Sequence, residues 1–119
     1  LYHRLQANPS LSLTEPLSYI DSLSLTTDAK VVVTDSGGLQ EETSALGVPC
    51  LTLRENTERP ITVTEGTNTL IGVDWGLFKS CISRIQNGDY VKDVEPIPYW
   101  DGQAGKRILT IIRDQDGVD

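Results

Sequence analysis

The sequence predicts an α/β domain: a parallel sheet with helices on its faces. Two observations carry this. Short β-branched or apolar runs alternate with stretches of helical periodicity, and a glycine or proline punctuates most of the changes. At 119 residues the chain matches one domain with a modest core, since single cores form comfortably at about 100 to 150 residues.

The elements follow in order. Leu11–Thr14 alternates apolar and polar residues ahead of Glu15-Pro16 and is expected to be a short strand. Ser18 is placed to cap a helix carrying Tyr19, Ile20 and Leu23 and running to about Asp28, with Asp21 favourable to its dipole. Lys30–Thr34 contains three consecutive valines, as a strand covered on both faces does. Asp35-Ser36-Gly37-Gly38 breaks it, and Leu39, Thr43 and Leu46 mark a helix that Gly47 and Pro49 end.

A second buried strand is expected over Pro49–Leu53, then a polar loop from Arg54 to Arg59 and a short helix opened by Pro60. Asn68–Val73 is the next strand. Leu77, Phe78, Cys81, Ile82 and Ile85 form one helical stripe closed by Asn87-Gly88. Gly88–Gly102 reads as a crossing loop, and Asp101 is placed to cap a last helix with Ala104, Ile108, Ile111 and Ile112 on its apolar face.

Composition limits function. A net charge of −7 disfavours nucleic acid and anionic membrane as partners, because such binding rests on basic surface meeting phosphate. The apolar runs fall far short of the roughly 20 residues that span a bilayer. The two cysteines have neither metal-knuckle spacing nor the density of a secreted scaffold, so they read as buried thiols in a reducing, cytoplasmic setting. No metal-ligand set and no cofactor are expected. The chain has no methionine and opens on Leu1, which suggests a piece of a longer protein.

One strand-to-helix loop carries candidate chemistry. In doubly wound sheets ligands bind beyond the carboxyl ends of the strands, and Asp35-Ser36-Gly37-Gly38 lies at such an end. Glycines admit a phosphate close to the backbone, and the following helix offers free N–H groups and its positive dipole end. The competing reading is that Ser36 caps the helix while Gly37 and Gly38 make a tight turn. The loop lacks both the Gly-Lys-Ser/Thr ending of a nucleotide P-loop and the third glycine of a dinucleotide fingerprint.

Glu41 and Glu42, one turn on, can accept ribose hydroxyls or compensate the helix dipole at the surface. Arg59, with Arg54 as competitor, follows the adjacent strand and can reach the same phosphate; the alternative for each is a solvated arginine. Tyr99 and Trp100 read as packing against a core edge rather than stacking on a base. His3, the single histidine, has no nucleophile at a recognisable spacing and no assigned role.

The run Thr34-Asp35-Ser36-Gly37-Gly38-Leu39-Gln40-Glu41-Glu42, then Leu46-Gly47-Val48-Pro49 and Leu53-Arg54-Glu55-Asn56-Thr57-Glu58-Arg59-Pro60, resembles the signature of non-hydrolysing UDP-N-acetylglucosamine 2-epimerases. Glu15–Tyr19, Glu65–Asn68 and Asp101–Ala104 are similar too, so the resemblance spans about Pro16 to Ile112. It implies the C-terminal, Rossmann-like half of a glycosyltransferase B type two-domain architecture, missing its N-terminal domain and first strand-helix units. A last helix would cross back to the first domain.

The ligand implied is UDP or a UDP-N-acetylhexosamine. Ser36, Gly37 and Gly38 would hold the diphosphate, Glu42 the ribose, and Arg59 would meet the nucleotide as well. The implied reaction removes the C2 proton, expels UDP to leave a 2-acetamidoglucal, and re-adds UDP after protonation on the other face. The family's acid and base groups belong to upstream segments, so no residue here is assigned proton transfer. The intact protein would be a homodimer, held mainly by parts absent here. Ser22 stands where the family commonly has a phenylalanine near the uracil, and Leu17 would offer backbone groups to the base.

Overall fold

A computed structural model describes residues 2–90, 94 and 96–117. The element order is α1 (Tyr2–Gln6), α2 (Tyr19–Asp28), β1 (Val32–Thr34), α3 (Gly37–Leu46), β2 (Cys50–Thr52), α4 (Ile61–Thr64), β3 (Asn68–Leu70), α5 (Trp75–Asn87) and α6 (Ala104–Asp116). The three strands form one parallel sheet in the order β1-β2-β3. Its register aligns Val32 with Cys50 and Asn68, and Thr34 with Thr52 and Leu70, so all three strands end at one edge. The expected α/β class and the alternation of strands with helices are thus present.

β2 is the central strand, and its alternation divides the interior in two. Leu51 packs with Ile71 and Cys81 of α5, and Val31, Phe78, Ile82, Ile85 and Tyr90 close around them. On the α3/α4 face, Thr52 donates to Asn68 Oδ1 at 2.6 Å, and Gln40 and Thr43 of α3 are fully buried. One face of the sheet is therefore sealed by hydrocarbon and the other largely by hydrogen-bonded polar groups.

Helix ends follow the expected chemistry in most places. Ser18 Oγ accepts the Asp21 N–H at 3.2 Å, Asp74 Oδ1 accepts the Leu77 N–H at 2.9 Å, and Gly47 and Gly88 take left-handed conformations at C-caps. Asp101 does not occupy the N-cap of α6, which is Gln103. It sits two residues earlier, accepts the Gln103 N–H at 3.0 Å and forms a forked ion pair with Arg107. The turn at Gly102, φ 74°, displaces the carboxylate from the helix end.

Four further expectations change. Leu11–Thr14 is not a strand: among the described residues it joins no ladder, its leucines are largely exposed, and without a partner an extended segment has no sheet to enter. β1 is not covered on both faces, because it is the sheet edge and Val33 is 43 % exposed. The buried face of α3 is Gln40, Thr43 and Ser44 rather than Leu39, Thr43 and Leu46; Leu46 faces outward. In α2, Tyr19 and Ile20 are exposed and Thr26 is the buried residue. The loop expected over Gly88–Gly102 lies partly outside the described residues.

The apolar face of α6 is open: Ile108 is 56 % exposed and Ile112 49 %. The radius of gyration, 18.2 Å, exceeds the roughly 13.5 Å of a compact chain of this length. Both cysteines are buried. Among the described residues no helix is long and apolar enough to cross a membrane, and no cluster of side chains suits a metal ion.

Gly66 marks the tightest junction. A Cβ there would collide with Ser44 Oγ and lie 2.6 Å from the Thr62 carbonyl oxygen. Gly66→Ala is expected to lower unfolding free energy by about 2 kcal/mol or more, as overpacking does, read by urea denaturation; an unchanged midpoint would contradict this packing. The Asp101 carboxyl is held at about 2, below its ordinary 3.8, first by the Arg107 guanidinium and then by the Gln103 N–H. Because its folded value is depressed, the pair's contribution is present above pH about 3.8 and fades as pH falls through about 2. A carboxyl titration by NMR should find that low midpoint, and Arg107→Gln should raise it.

Candidate functional site

The carboxyl edge of the sheet gathers the loops after β1 and β2. Beyond the strands the ladder continues, with Leu53 N–H donating to Thr34 O at 2.8 Å and Gly72 N–H to Arg54 O at 3.2 Å. These bonds carry the 54–59 segment over the edge toward the start of α3. The two loops expected to converge do so: Arg59 Nε lies 2.9 Å from Glu41 Oε1.

Ser36 occupies the N-cap position of α3 with φ −82° and ψ 132°, yet its side chain makes no capping hydrogen bond. Its N–H donates to Thr34 Oγ1 at 3.0 Å, which fixes the turn without using the Ser36 hydroxyl. Gly37 and Gly38 begin the helix itself, and neither has the positive φ that would demand glycine. The tight-turn reading of these glycines is therefore overturned by their backbone.

Nor does internal packing require them. A Cβ on Gly37 would have Glu58 Oε2 as its nearest neighbour at 3.8 Å, and one on Gly38 would meet Ser36 Oγ at 3.9 Å, both ordinary contacts. Within a helix each glycine costs roughly 1 kcal/mol relative to alanine. Two consecutive glycines leave the first turn of α3 bare to an approaching group, with its unpaired N–H donors and positive dipole end exposed.

The two arginines near this turn are paired. Arg54 forms an ion pair with Glu58 at 3.1 Å, and Arg59 with Glu41. The Glu58 carboxyl is held below its ordinary range, first by its own backbone N–H and then by the Arg54 guanidinium, so it is ionised at neutral pH. Arg59 is thus the arginine drawn to α3, whereas Arg54 is committed within its own loop.

Glu42 is half-buried and lines a groove with Glu41, Ala45 and Trp100. Trp100 also borders the far end of α3, lining a groove with Ser44, Leu46, Gly47, Pro96 and Ile97, but it is 39 % exposed. Tyr99 does not pack against a core edge: it is 76 % exposed, holds φ 69°, and lies under the Arg107 guanidinium at 5.3 Å. Ser22 is half-buried on α2, which packs on α3, and Leu17 precedes that helix.

Sequence reasoning missed the polar layer beneath the loop. Gln40 Oε1 accepts from Thr57 Oγ1 at 2.6 Å and from Asn68 Nδ2 at 3.0 Å, and Asn68 Nδ2 also donates to Thr62 Oγ1 at 3.1 Å. A glutamine on the inward face of α3, one residue before Glu41, was the available signal.

Comparison with known proteins places this geometry. A family model described as UDP-N-acetylglucosamine 2-epimerase matches residues 1–113. The UDP-N-acetylglucosamine 2-epimerase of Methanococcus maripaludis is 39 % identical over 112 residues, covering 94 % of this chain and 30 % of that protein. The crystal structure of the Methanocaldococcus jannaschii UDP-GlcNAc 2-epimerase in complex with UDP-GlcNAc and UDP superposes with a TM-score of 0.72 at 37 % identity, covering 95 % of this chain and 30 % of that one. The Neisseria meningitidis enzyme bound to UDP-GlcNAc gives 0.76 at 32 % identity, covering 92 % and 30 %. The chain spans about 30 % of the length of these relatives. By a match over nearly its whole length, on a parallel sheet with a bare glycine turn at its carboxyl edge, the chain belongs to the UDP-N-acetylglucosamine 2-epimerase family.

Proposed function

We propose that this chain is the UDP-holding part of an epimerase that interconverts UDP-N-acetylglucosamine and UDP-N-acetylmannosamine. One observation carries the reading: Gly37 and Gly38 begin α3 with ordinary helical backbone and no internal neighbour that excludes a side chain, so the bare turn serves something outside the chain. A diphosphate fits it, taking the N–H groups of the first turn together with the Ser36 hydroxyl. Glu42, about one turn further, accepts the ribose hydroxyls, and Arg59 exchanges its exposed pairing with Glu41 for the phosphates.

In the reaction the C2 proton leaves to a base and the C1–O bond breaks, its electron pair passing to the β-phosphate oxygen of UDP. Charge grows on the diphosphate as the glycal forms, and fixed N–H donors aimed there stabilise it without rearrangement. The same grip keeps UDP oriented for return to C1 after C2 is protonated on the opposite face. The groups that move the proton belong to the remainder of a longer, homodimeric protein. The open isoleucine face of α6 supports packing against that remainder, and the burial of both cysteines is compatible with a cytoplasmic setting.

Calorimetric titration tests the site. UDP should bind and ADP should bind more weakly. Arg59→Ala is expected to weaken UDP by about ten- to a hundredfold, the range of a charge-assisted hydrogen bond, and Glu42→Ala should weaken it further. UDP binding indifferent to both substitutions would remove the nucleotide from this edge. The chain by itself should produce no UDP-N-acetylmannosamine, since one wall of a cleft neither excludes water nor orients the sugar; product formation above background in an anion-exchange assay would sink that expectation.

A further inference from the structure

Arg59 lies in a surface loop, yet its backbone is clamped on both sides. Its N–H donates to Thr57 Oγ1 at 2.9 Å, and its carbonyl accepts from Thr62 Oγ1 at 2.7 Å. Each threonine hydroxyl has one proton, and the directions are fixed by it. Thr57 accepts from Arg59 and must donate onward, to Gln40 Oε1. Thr62 donates to Arg59 and accepts from Asn68 Nδ2. Asn68 Nδ2 also reaches Gln40 Oε1, and its Oδ1 is held by Thr52 of the central strand.

Gln40, Thr52, Thr62 and Asn68 are fully buried. Gln40 sits on the same helix as the Ser36-Gly37-Gly38 turn and beside Glu41, which holds the Arg59 guanidinium. Helix α3 therefore sets the arginine twice, through the backbone clamp and through the side-chain pair. Gln40 Nε2 has no hydrogen-bond partner among the described residues. A buried donor left unpaired is unfavourable, so this glutamine is a poor choice for stability alone. Its Oε1, by contrast, is used twice, by the Thr57 hydroxyl and by Asn68 Nδ2, so the residue ties the loop to α3 at the expense of its own second group.

We propose that Gln40 and Asn68, acting through Thr57 and Thr62, are positioning residues for Arg59: they lock its peptide against α3 so that the guanidinium stands ready at the diphosphate turn. This rests on the reading that Arg59 meets the nucleotide. A preset arginine loses less freedom on binding than one on a free loop, and the gain appears as UDP affinity.

The test is a double-mutant cycle on the full chain, with UDP as the probe and circular dichroism to verify folding. Thr57→Val removes the hydroxyl at nearly constant shape and should weaken UDP about tenfold, while Thr57→Ser should bind like the parent. In an Arg59→Ala background, Thr57→Val should change affinity less than twofold, because its effect passes through the missing guanidinium. Gln40→Leu, which takes the acceptor from the Thr57 hydroxyl and from Asn68 Nδ2, should follow Thr57→Val in both backgrounds. Losses that add in the Arg59→Ala background, no rescue by serine, or a Thr57→Val chain that binds like the parent although Arg59→Ala does not, each overturns the positioning role alone. If Arg59→Ala itself binds UDP normally, the reading of Arg59 fails, and the positioning role with it.

Discussion

The arrangement depends on the need to satisfy two buried amides. Gln40 and Asn68 are shut away from water between α3, α4 and the strands β2 and β3. Buried amides must find partners or cost free energy comparable to a lost hydrogen bond. Their partners, Thr52, Thr57 and Thr62, come from three different segments. Gln40 Nε2 stays unpaired among the described residues, but the bonds the other amide groups make fix a strand, a loop and a short helix relative to α3 in one arrangement. Hydrocarbon on the opposite face, around Leu51, Ile71 and Cys81, supplies cohesion but is tolerant of small shifts. Hydrogen bonds at 2.6 to 3.1 Å are directional and are not.

From that constraint the site follows. Once α3 is held, its first turn faces the carboxyl edge with bare backbone, and the loop after β2 is tied to the helix through Thr57 to Gln40 and Arg59 to Glu41. Gly66 makes the close approach possible, because only a residue without Cβ admits Ser44 and the Thr62 carbonyl at that junction. Glycine is used in two opposite ways within a short stretch. At position 66 it lets the chain approach itself, whereas at positions 37 and 38 a Cβ would make only ordinary contacts, with Glu58 Oε2 and Ser36 Oγ, so internal packing does not require glycine there.

Much of the fold was legible because it rests on local signals. The valine run, the Gly47 stop, the Ser18 cap and the stripe on α5 each depend on spacing or on one residue's conformational range. What was not legible depends on neighbours. Val33 reads as buried until β1 proves to be an edge, and Leu11–Thr14 reads as a strand until no partner is found among the described residues. Ser36, Gly37, Gly38, Glu42 and Arg59 could be chosen as candidates from type and position. The preference for Arg59 over Arg54 came from the resemblance; in the structure Glu58 pairs with Arg54 and Glu41 with Arg59. The polar layer escaped notice because Gln40, Thr57 and Asn68 are scattered along the sequence and have no common period.

The chain's acidity is compatible with anion binding for the same structural reason. Its −7 charge opposes diphosphate only weakly at a distance, because exposed charges beyond about 8 to 10 Å are screened by physiological salt. Affinity is decided at contact, where Glu58 and Glu41 already neutralise both nearby arginines. Exposed ion pairs of this kind contribute little, roughly 0 to 1 kcal/mol, so a diphosphate that also engages the turn of α3 can displace Glu41 from Arg59 at small cost. On the proposed reading, Glu41 keeps the guanidinium oriented until the nucleotide arrives, and the backbone donors of the turn, which no side chain neutralises, are left for the phosphates.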